Sequence, residues 1–111
     1  MEISYEEFRK IKIHVGTVKA VEENKRVRKP ALALKIDFGS EIGMKKTSAQ
    51  ITDYYNENNL LGKQVIAVCN FPSKNIAGLE SEVLVLGAVK EDGKVVLVHP
   101  SKIVANGSEI I

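Results

Sequence analysis

The chain has 111 residues and a formal net charge of +2 at neutral pH, and 44% of its residues are hydrophobic and 27% are charged. This length allows one domain, residues 1–111, with one hydrophobic core and no separate catalytic domain, and the ordinary composition argues against disorder. The acidic start is unlike a signal peptide, no apolar run is long enough to cross a bilayer, and one cysteine excludes an internal disulfide, so we expect a cytoplasmic protein.

The first predicted elements are a short helix and a strand. Ser4 as N-cap and Glu7 three residues later form a capping box at the start of "SYEEFRKI" (4–11). Apolar residues then alternate along "IKIHVGTVKAV" (11–21), as in a half-buried strand, and the alternation changes phase after Gly16. A glycine at such a point predicts a bulge or a sharp bend.

A basic segment leads into the next strand. "KRVRKPALALK" (25–35) holds five basic residues and no acidic one, and "MKK" (44–46) adds two more. This distribution favours a local anionic partner, although a solvated lysine-rich face is the alternative. "ALALKIDFG" (31–39) alternates strictly, which predicts a strand with one buried face. The predicted buried residues are Leu32, Leu34, Ile36 and Phe38.

The middle of the chain predicts a third strand at "MKKTSAQ" (44–50) and a short helix within residues 48–63 that ends near Gly62. Apolar, β-branched strands follow at residues 64–71 and 81–91.

The final part of the chain predicts a hairpin, because Asp92-Gly93 lies between two apolar runs. Residues 69–82 leave the core for longer than the two to five residues or so that a connector needs, which favours a functional loop. The tail, 101–111, is irregular but ends on two isoleucines, so we expect it to pack on its own domain or on a partner.

Five or six strands with one interposed helix predict a mainly β fold. The leading candidate is a five-stranded OB-fold barrel, which has a short helix between strands 3 and 4. Periodicity alone leaves an SH3-like barrel or a small sandwich open.

Chemical motifs do not indicate an enzyme or a cofactor. His14, His99 and Cys69 lack the spacing of a zinc site, and the chain has neither a phosphate-binding glycine loop nor a nucleophile elbow. Asp37 is more simply interpreted as the partner of Lys35 in a surface ion pair. Glu82 is more simply interpreted as a structural or recognition residue. We therefore expect a binding protein without catalytic residues, metal or cofactor.

Nucleic acid is the ligand that the charges favour. The basic loop at 25–30, together with Lys35, Lys45 and Lys46, supplies cations for phosphates, and residues 70–81 supply polar groups. Aromatic residues are few, so polar and shape recognition of a folded RNA is favoured over base stacking. Phe71 is either part of this surface or an ordinary core residue.

Three segments carry a closer resemblance. "KPALALKIDFG", "SAQIT" and "NFPSKNIAGLESEVLVLGAV", in this order and spacing, resemble the CsaA proteins, which are relatives of the tRNA-binding domain at the C-terminus of bacterial methionyl-tRNA synthetase. The resemblance covers essentially the whole chain. It implies an OB barrel whose N- and C-terminal extensions build a homodimer with two sites for the outer corner of tRNA. It also implies chaperone-like binding of unfolded or preprotein polypeptide and of the secretion motor SecA.

These arguments together nominate three sets of residues. The predicted RNA-binding residues are Lys29, Lys35, Lys45, Lys46, Asn70, Lys74, Ser81 and Glu82. The predicted peptide-binding residues are Phe71, Ile76 and Leu84. The predicted dimer interface, chosen for apolar residues beyond the needs of one barrel, is Tyr5, Phe8, Ile103, Val104, Ile110 and Ile111.

Two positions depart from the family pattern. Lys12 and His14 stand where an acidic residue and an arginine are usual, so we expect His14 to weaken any RNA contact that the arginine makes. The alternative function is a trans-acting tRNA-binding subunit that assists an aminoacyl-tRNA synthetase.

Overall fold

The computed structural model describes residues 1–24 and 28–111. Its helices are α1 (Tyr5–Arg9), α2 (Gly39–Ile42) and α3 (Glu57–Leu60). Its strands are β1 (Ile13–Asn24), β2 (Ala31–Asp37), β3 (Met44–Ala49), β4 (Gln64–Val68), β5 (Lys74–Ile76), β6 (Leu79–Ser81), β7 (Leu84–Val85), β8 (Gly87–Val89) and β9 (Val95–Leu97). No helix in the described part of the chain is long and apolar enough to span a membrane.

Five antiparallel strands form the main sheet, in the order β3-β2-β1-β4-β7. The sheet curls strongly into a half-barrel, and α3 lies between β3 and β4. The OB-like barrel predicted from the sequence is therefore confirmed, including the position of its short helix.

The core lies on the concave side of this sheet. The alternating face of β2 is buried as predicted, with Ile36 and Phe38 at most 1% exposed. Leu60 of α3 joins the same core, so the helix covers one end of the barrel. These contacts fix the orientation of β2 and β3, whose other faces point outward.

The bulge in β1 lies three residues beyond the predicted position. The register of β1 against β2 shifts between Val18 and Ala20, and Gly16 is not part of the bulge. Gly16 is required for packing instead, because a Cβ there would lie 2.6 Å from Ile36 Cγ2 and 2.8 Å from the Phe38 ring. The glycine in this strand therefore has a structural reason. That reason is the close approach of the Ile36 and Phe38 side chains to the backbone at Gly16, and not a bulge at this residue.

The barrel closes between β3 and residues 81–83, which we call the seam. Glu82 N donates to Lys46 O at 2.8 Å, and Lys46 N donates to the Glu82 carboxylate at 3.0 Å. The buried Thr47 hydroxyl donates to Val83 O at 2.7 Å. Side chains therefore replace part of the backbone ladder at this edge.

The prediction of one strand over 81–91 is wrong. Ser81 is the last residue of β6, and β7 and β8 are two separate short strands within this range. The hairpin at Asp92-Gly93 is confirmed between β8 and β9. Gly93 takes a φ of +86°, and Lys90 N donates to Lys94 O across the turn.

The C-terminal tail packs on its own domain beside β1. Gly107 N donates to Val15 O at 2.7 Å, and Ile110 N donates to Ile13 O at 2.9 Å. The Thr17 hydroxyl also donates to the Asn106 side chain at 2.6 Å. The backbone of the tail thus bonds to β1 at residues 13–15, before the pairing of β1 with β2 begins at Thr17.

Candidate nucleic-acid interface

Two lysines lie directly opposite each other on the outer face of β2 and β3. Lys35 pairs with Lys46 in the register of the two strands, and both are exposed. Within residues 1–24 and 28–111, neither ammonium forms an ion pair. Like charges in this position disfavour the fold, so an anionic ligand would relieve their repulsion. We call Lys35, Lys46 and Ser48, which follows Lys46 on the same face, the lysine face.

Lys45 lies on the other side of β3. It pairs with the buried Ile36, and its Nζ lies 4.0 Å from Glu82 Oε2. Its side chain is only 31% exposed. The structure therefore separates Lys45 from Lys46, although both were predicted to bind RNA.

The basic loop between β1 and β2 is only partly described. Residues 25–27, which hold part of the predicted cationic cluster, lie outside the described residues. Arg28 and Lys29 are exposed at the point where the chain enters β2. Lys29 is therefore accessible near the start of the strand that carries Lys35.

Residues 69–82, predicted as a loop, contain a small hairpin. β5 pairs with β6, and the turn residues Ala77 and Gly78 have φ angles of +50° and +84°. Two consecutive positive φ values are typical of a type I′ turn, which matches the twist of its strands. Gly78, at a φ that glycine adopts without strain, thus permits the sharp return of the chain.

This hairpin forms one wall of a cleft of about 570 Å³. The side chains of Phe71 and Leu84 are 53% and 50% exposed at the cleft, and Ile76 is half-buried. The structure thus brings the three predicted peptide-binding residues together, and Phe71 is not a core residue. Ser48 also lines the cleft, and the alternation that places it beside Lys46 was visible in the sequence.

Ser81 and Glu82 line the same cleft but are engaged within the protein. Ser81 Oγ lies 3.0 Å from the Thr47 hydroxyl, and the Glu82 carboxylate accepts a hydrogen bond from Lys46 N. Both residues therefore help to close the seam. Lys74, in contrast, is exposed at the cleft, and its ammonium forms no ion pair with any described residue.

Asn70 points its amide at the segment between α1 and β1. Its Oδ1 accepts from Lys12 N at 2.9 Å, and its Nδ2 donates to Lys10 O at 2.7 Å. Cys69 N adds a backbone bond to Lys12 O at 2.7 Å. The chain is thereby anchored just before it enters the cleft wall.

The predicted dimer residues occupy two separate places. Four of them surround one groove between α1 and the tail, which we call the terminal patch: Tyr5, Phe8, Ile110 and Ile111. Ile103 is 83% exposed beside the start of β4, and the backbone of Val104 is bonded to the Gln64 side chain. The terminal patch lies near the other end of β4. Its residue Ile110 bonds to Ile13, and Ile13 pairs with Val68, the last residue of β4.

His14 and Cys69 do not form a reactive pair. His14 is half-buried, and its Nδ1 donates to Gly107 O at 2.9 Å, so the ring holds the tail. Burial raises the pKa of the Cys69 thiol to about 11, against the opposing charge of Lys45. A thiol with this pKa stays protonated at neutral pH and is a poor nucleophile.

Comparisons with known proteins agree with this architecture. The profile of a family described as "Putative tRNA binding domain" matches residues 13–109. The crystal structure of chaperone CsaA from Bacillus anthracis is 50% identical with a TM-score of 0.94, and each chain covers 100% of the other. The CsaA chaperone from Picrophilus torridus is 49% identical with a TM-score of 0.92, over 99% of this chain and 100% of that one.

A curated enzyme is also similar. The methionine–tRNA ligase of Porphyromonas gingivalis is 35% identical over 109 residues, which is 98% of this chain. The match spans only 16% of that enzyme.

Proposed function

Since the chain belongs to the family of the Putative tRNA binding domain, we propose that it binds tRNA, without catalysing a reaction, on the lysine face and the adjoining cleft. The observation that carries this proposal is the opposed pair Lys35 and Lys46, which no carboxylate of the described residues neutralises. Phosphates would supply the missing counter-charge.

The surroundings of the lysine face support this assignment. In OB folds, the outer face of strands 2 and 3 and the loops beside it bind nucleic acid. Here Lys29 lies before β2 and Lys74 lies across the cleft, so cations flank the face on two sides. Phe71 offers an exposed ring on which an unpaired base can stack.

Two further predicted contacts lie on the proposed surface. Ser81 and Glu82 keep polar atoms at the cleft, and we propose that their remaining hydrogen-bonding capacity serves RNA. Asn70, which the sequence nominated as a third contact, directs its amide at Lys10 and Lys12 instead. Lys45 would act at longer range, because its charge is shared with Glu82.

Filter retention of labelled tRNA over a range of salt concentrations tests this function. Binding should weaken linearly on a log–log plot with a slope set by the number of phosphates neutralised. Absence of retention even at low salt, for protein that is folded by circular dichroism, would reject the proposal.

A second proposed function is chaperone-like binding of unfolded polypeptide, including preproteins for export and the secretion motor SecA. Its support is the apolar cleft at Phe71, Ile76 and Leu84 and the similarity to structures titled as CsaA chaperones. Polypeptide binding through apolar burial should be unchanged or stronger at high salt, whereas tRNA binding through phosphate contacts should weaken. Reduced, unfolded polypeptide that displaces tRNA at low salt and stays bound at high salt would support one shared cleft. Polypeptide that never binds would exclude this function.

We also propose that the protein is a homodimer in the cytoplasm, which would present two RNA sites and gain avidity. The terminal patch supports this, because Ile111 is 95% and Tyr5 is 68% exposed. The substitution Ile111→Asp should give monomers by light scattering. Val89→Asp, at an exposed residue outside the predicted interface, is the matched control. An Ile111→Asp variant that remains dimeric would contradict this placement of the interface.

The alternative is a trans-acting tRNA-binding subunit for an aminoacyl-tRNA synthetase, which the similarity to part of a methionine–tRNA ligase supports. Adding the purified protein to a synthetase that lacks such a domain should then lower the KM for tRNA. An unchanged KM would argue against this role.

A further inference from the structure

The connection between Asn70 and the segment after α1 gives this residue a role other than direct RNA contact. Lys10 is the C-cap of α1, and Lys12 directly precedes β1. Three hydrogen bonds join residues 10–12 to residues 69 and 70, with lengths between 2.7 and 2.9 Å. We call these three bonds the clamp.

The chemistry of the clamp requires an amide. One bond needs an acceptor for the Lys12 N–H, and the other needs a donor for the Lys10 carbonyl. Asparagine supplies both from one short side chain, whereas aspartate cannot donate when ionised and alanine can do neither. The opposite orientation of the amide would lose both bonds, so the partners fix which atom is oxygen.

The position of the clamp links two surfaces. β4 ends at Val68 and β5 begins at Lys74, so residues 69–73 cross without strand pairing, and Phe71, Pro72 and Ser73 in this stretch line the cleft. At the other end of this stretch, the Ser73 hydroxyl donates to Glu80 at 2.7 Å. On the far side of the clamp lies α1, which carries Tyr5 and Phe8 of the terminal patch.

We propose that Asn70 is a positioning residue that couples the terminal patch to the cleft by holding the wall at residues 71–73 against the segment after α1. This inference rests on the proposed function for its RNA consequence but not for its structural one. The segment after α1 thereby supports both α1, which carries part of the terminal patch, and the wall of the cleft.

A double-mutant cycle in the chain of 111 residues tests whether the Asn70 amide and the Lys12 N–H act on the cleft wall through the same clamp. Asn70→Ala removes both side-chain bonds. Lys12→Pro removes the backbone donor of the clamp and leaves the Asn70 amide in place, and Lys12→Ala is the control for the lost charge because it keeps the N–H. The measurements are tRNA affinity and amide hydrogen exchange of residues 69–76.

Asn70→Ala and Lys12→Pro, the latter relative to Lys12→Ala, should each lower tRNA affinity by roughly threefold to tenfold, as expected for one or two lost hydrogen bonds. Both should speed exchange in residues 69–76. The double variant Asn70→Ala/Lys12→Pro should bind no more weakly than the weaker single variant, because both changes open the same clamp.

Additive losses of affinity would overturn the proposal, because Asn70 would then contact RNA directly. Unchanged exchange at residues 69–76 in Asn70→Ala would overturn it as well. If the wild-type protein binds no tRNA, the proposed function fails, and the exchange measurement still decides whether the clamp holds the cleft wall. Lys12→Pro keeps the test valid if Asn70→Ala does not fold.

Discussion

Replacing Lys46 with glutamine should stabilise the fold and weaken RNA binding at the same time. Lys46 faces Lys35 across the β2–β3 ladder, and no described carboxylate pairs with either ammonium. The substitution removes the repulsion but leaves the backbone bonds of Lys46 to Glu82 intact. Glutamine keeps most of the apolar stem, so the packing changes little.

The magnitude follows from the geometry of the pair. Opposed like charges on a sheet cost about 0.2–1 kcal/mol, and the exposure of both lysines places this pair in the lower half of that range. For a domain of this size, the gain corresponds to a rise in Tm of roughly 1–3 °C. The loss of one phosphate contact should reduce the salt slope of tRNA binding by about 1.

Thermal melts by circular dichroism at low salt measure the stability, and filter retention measures the slope. The stabilisation should disappear at about 1 M salt, where the Debye length is near 3 Å. Lys35→Gln should behave in the same way, and the double variant Lys35→Gln/Lys46→Gln should gain no further stability. The control Lys63→Gln, at an exposed lysine before β4, should change neither quantity. A lower Tm for Lys46→Gln, or an unchanged salt slope, would refute the reasoning.

Three other predictions concern the barrel itself. Gly16→Ala should lower the free energy of unfolding by about 1–3 kcal/mol in urea titrations, because the new Cβ would overlap the Phe38 ring. Thr47→Val should cost about 1–3 kcal/mol by the same assay, since Val83 O loses its donor at the seam, whereas a neutral result would mean that water replaces the hydroxyl. The Cys69 thiol should react with iodoacetamide much more slowly in the folded protein than in urea, because burial raises its pKa from 9.0 to about 11. The unfolded thiol then loses its proton first, so stability should fall as pH rises from about 9 to 11, and this fall should shrink in Cys69→Ala.

The sequence predicted those elements whose signal is local. The strict alternation in β2 identifies its buried face, because only one side of that strand meets the core. The Asp92-Gly93 pair likewise identifies its hairpin, since both residues favour the turn that joins β8 and β9.

The second hairpin had no such signal. β5 and β6 are three residues each, which is too short to show alternation. Their turn uses Ala77 at a positive φ, a conformation that alanine disfavours by about 1–2 kcal/mol. The pairing of β5 with β6 and the bond from Gly78 N to the Asn75 side chain therefore offset the local preference of Ala77 at this turn.

The internal roles of Asn70 and Glu82 also lay beyond sequence reasoning. The bonding partners of Asn70, Lys12 and Lys10, are 58 and 60 positions away in the chain. Glu82 bonds to Lys46 N, which is 36 positions away. A polar residue in a loop gives the same pattern in the sequence whether it faces solvent, a ligand or a distant backbone. The pair Lys35 and Lys46 was nominated by charge, but only the strand register shows that the two are opposed.

The pairing of the tail with β1 has a consequence for how the protein is made. His14 and Gly107 are 93 residues apart, so this contact closes a loop that contains most of the chain. At a synthesis rate of about 5–20 residues per second, the tail is made roughly 5–20 s after residues 13–15 of β1. The edge of β1 that pairs with the tail stays unpaired during this time. An unpaired strand edge is a template for pairing with other chains. Until residues 107–110 are made, this edge of β1 is therefore open to pairing with another chain, and the tail later closes it.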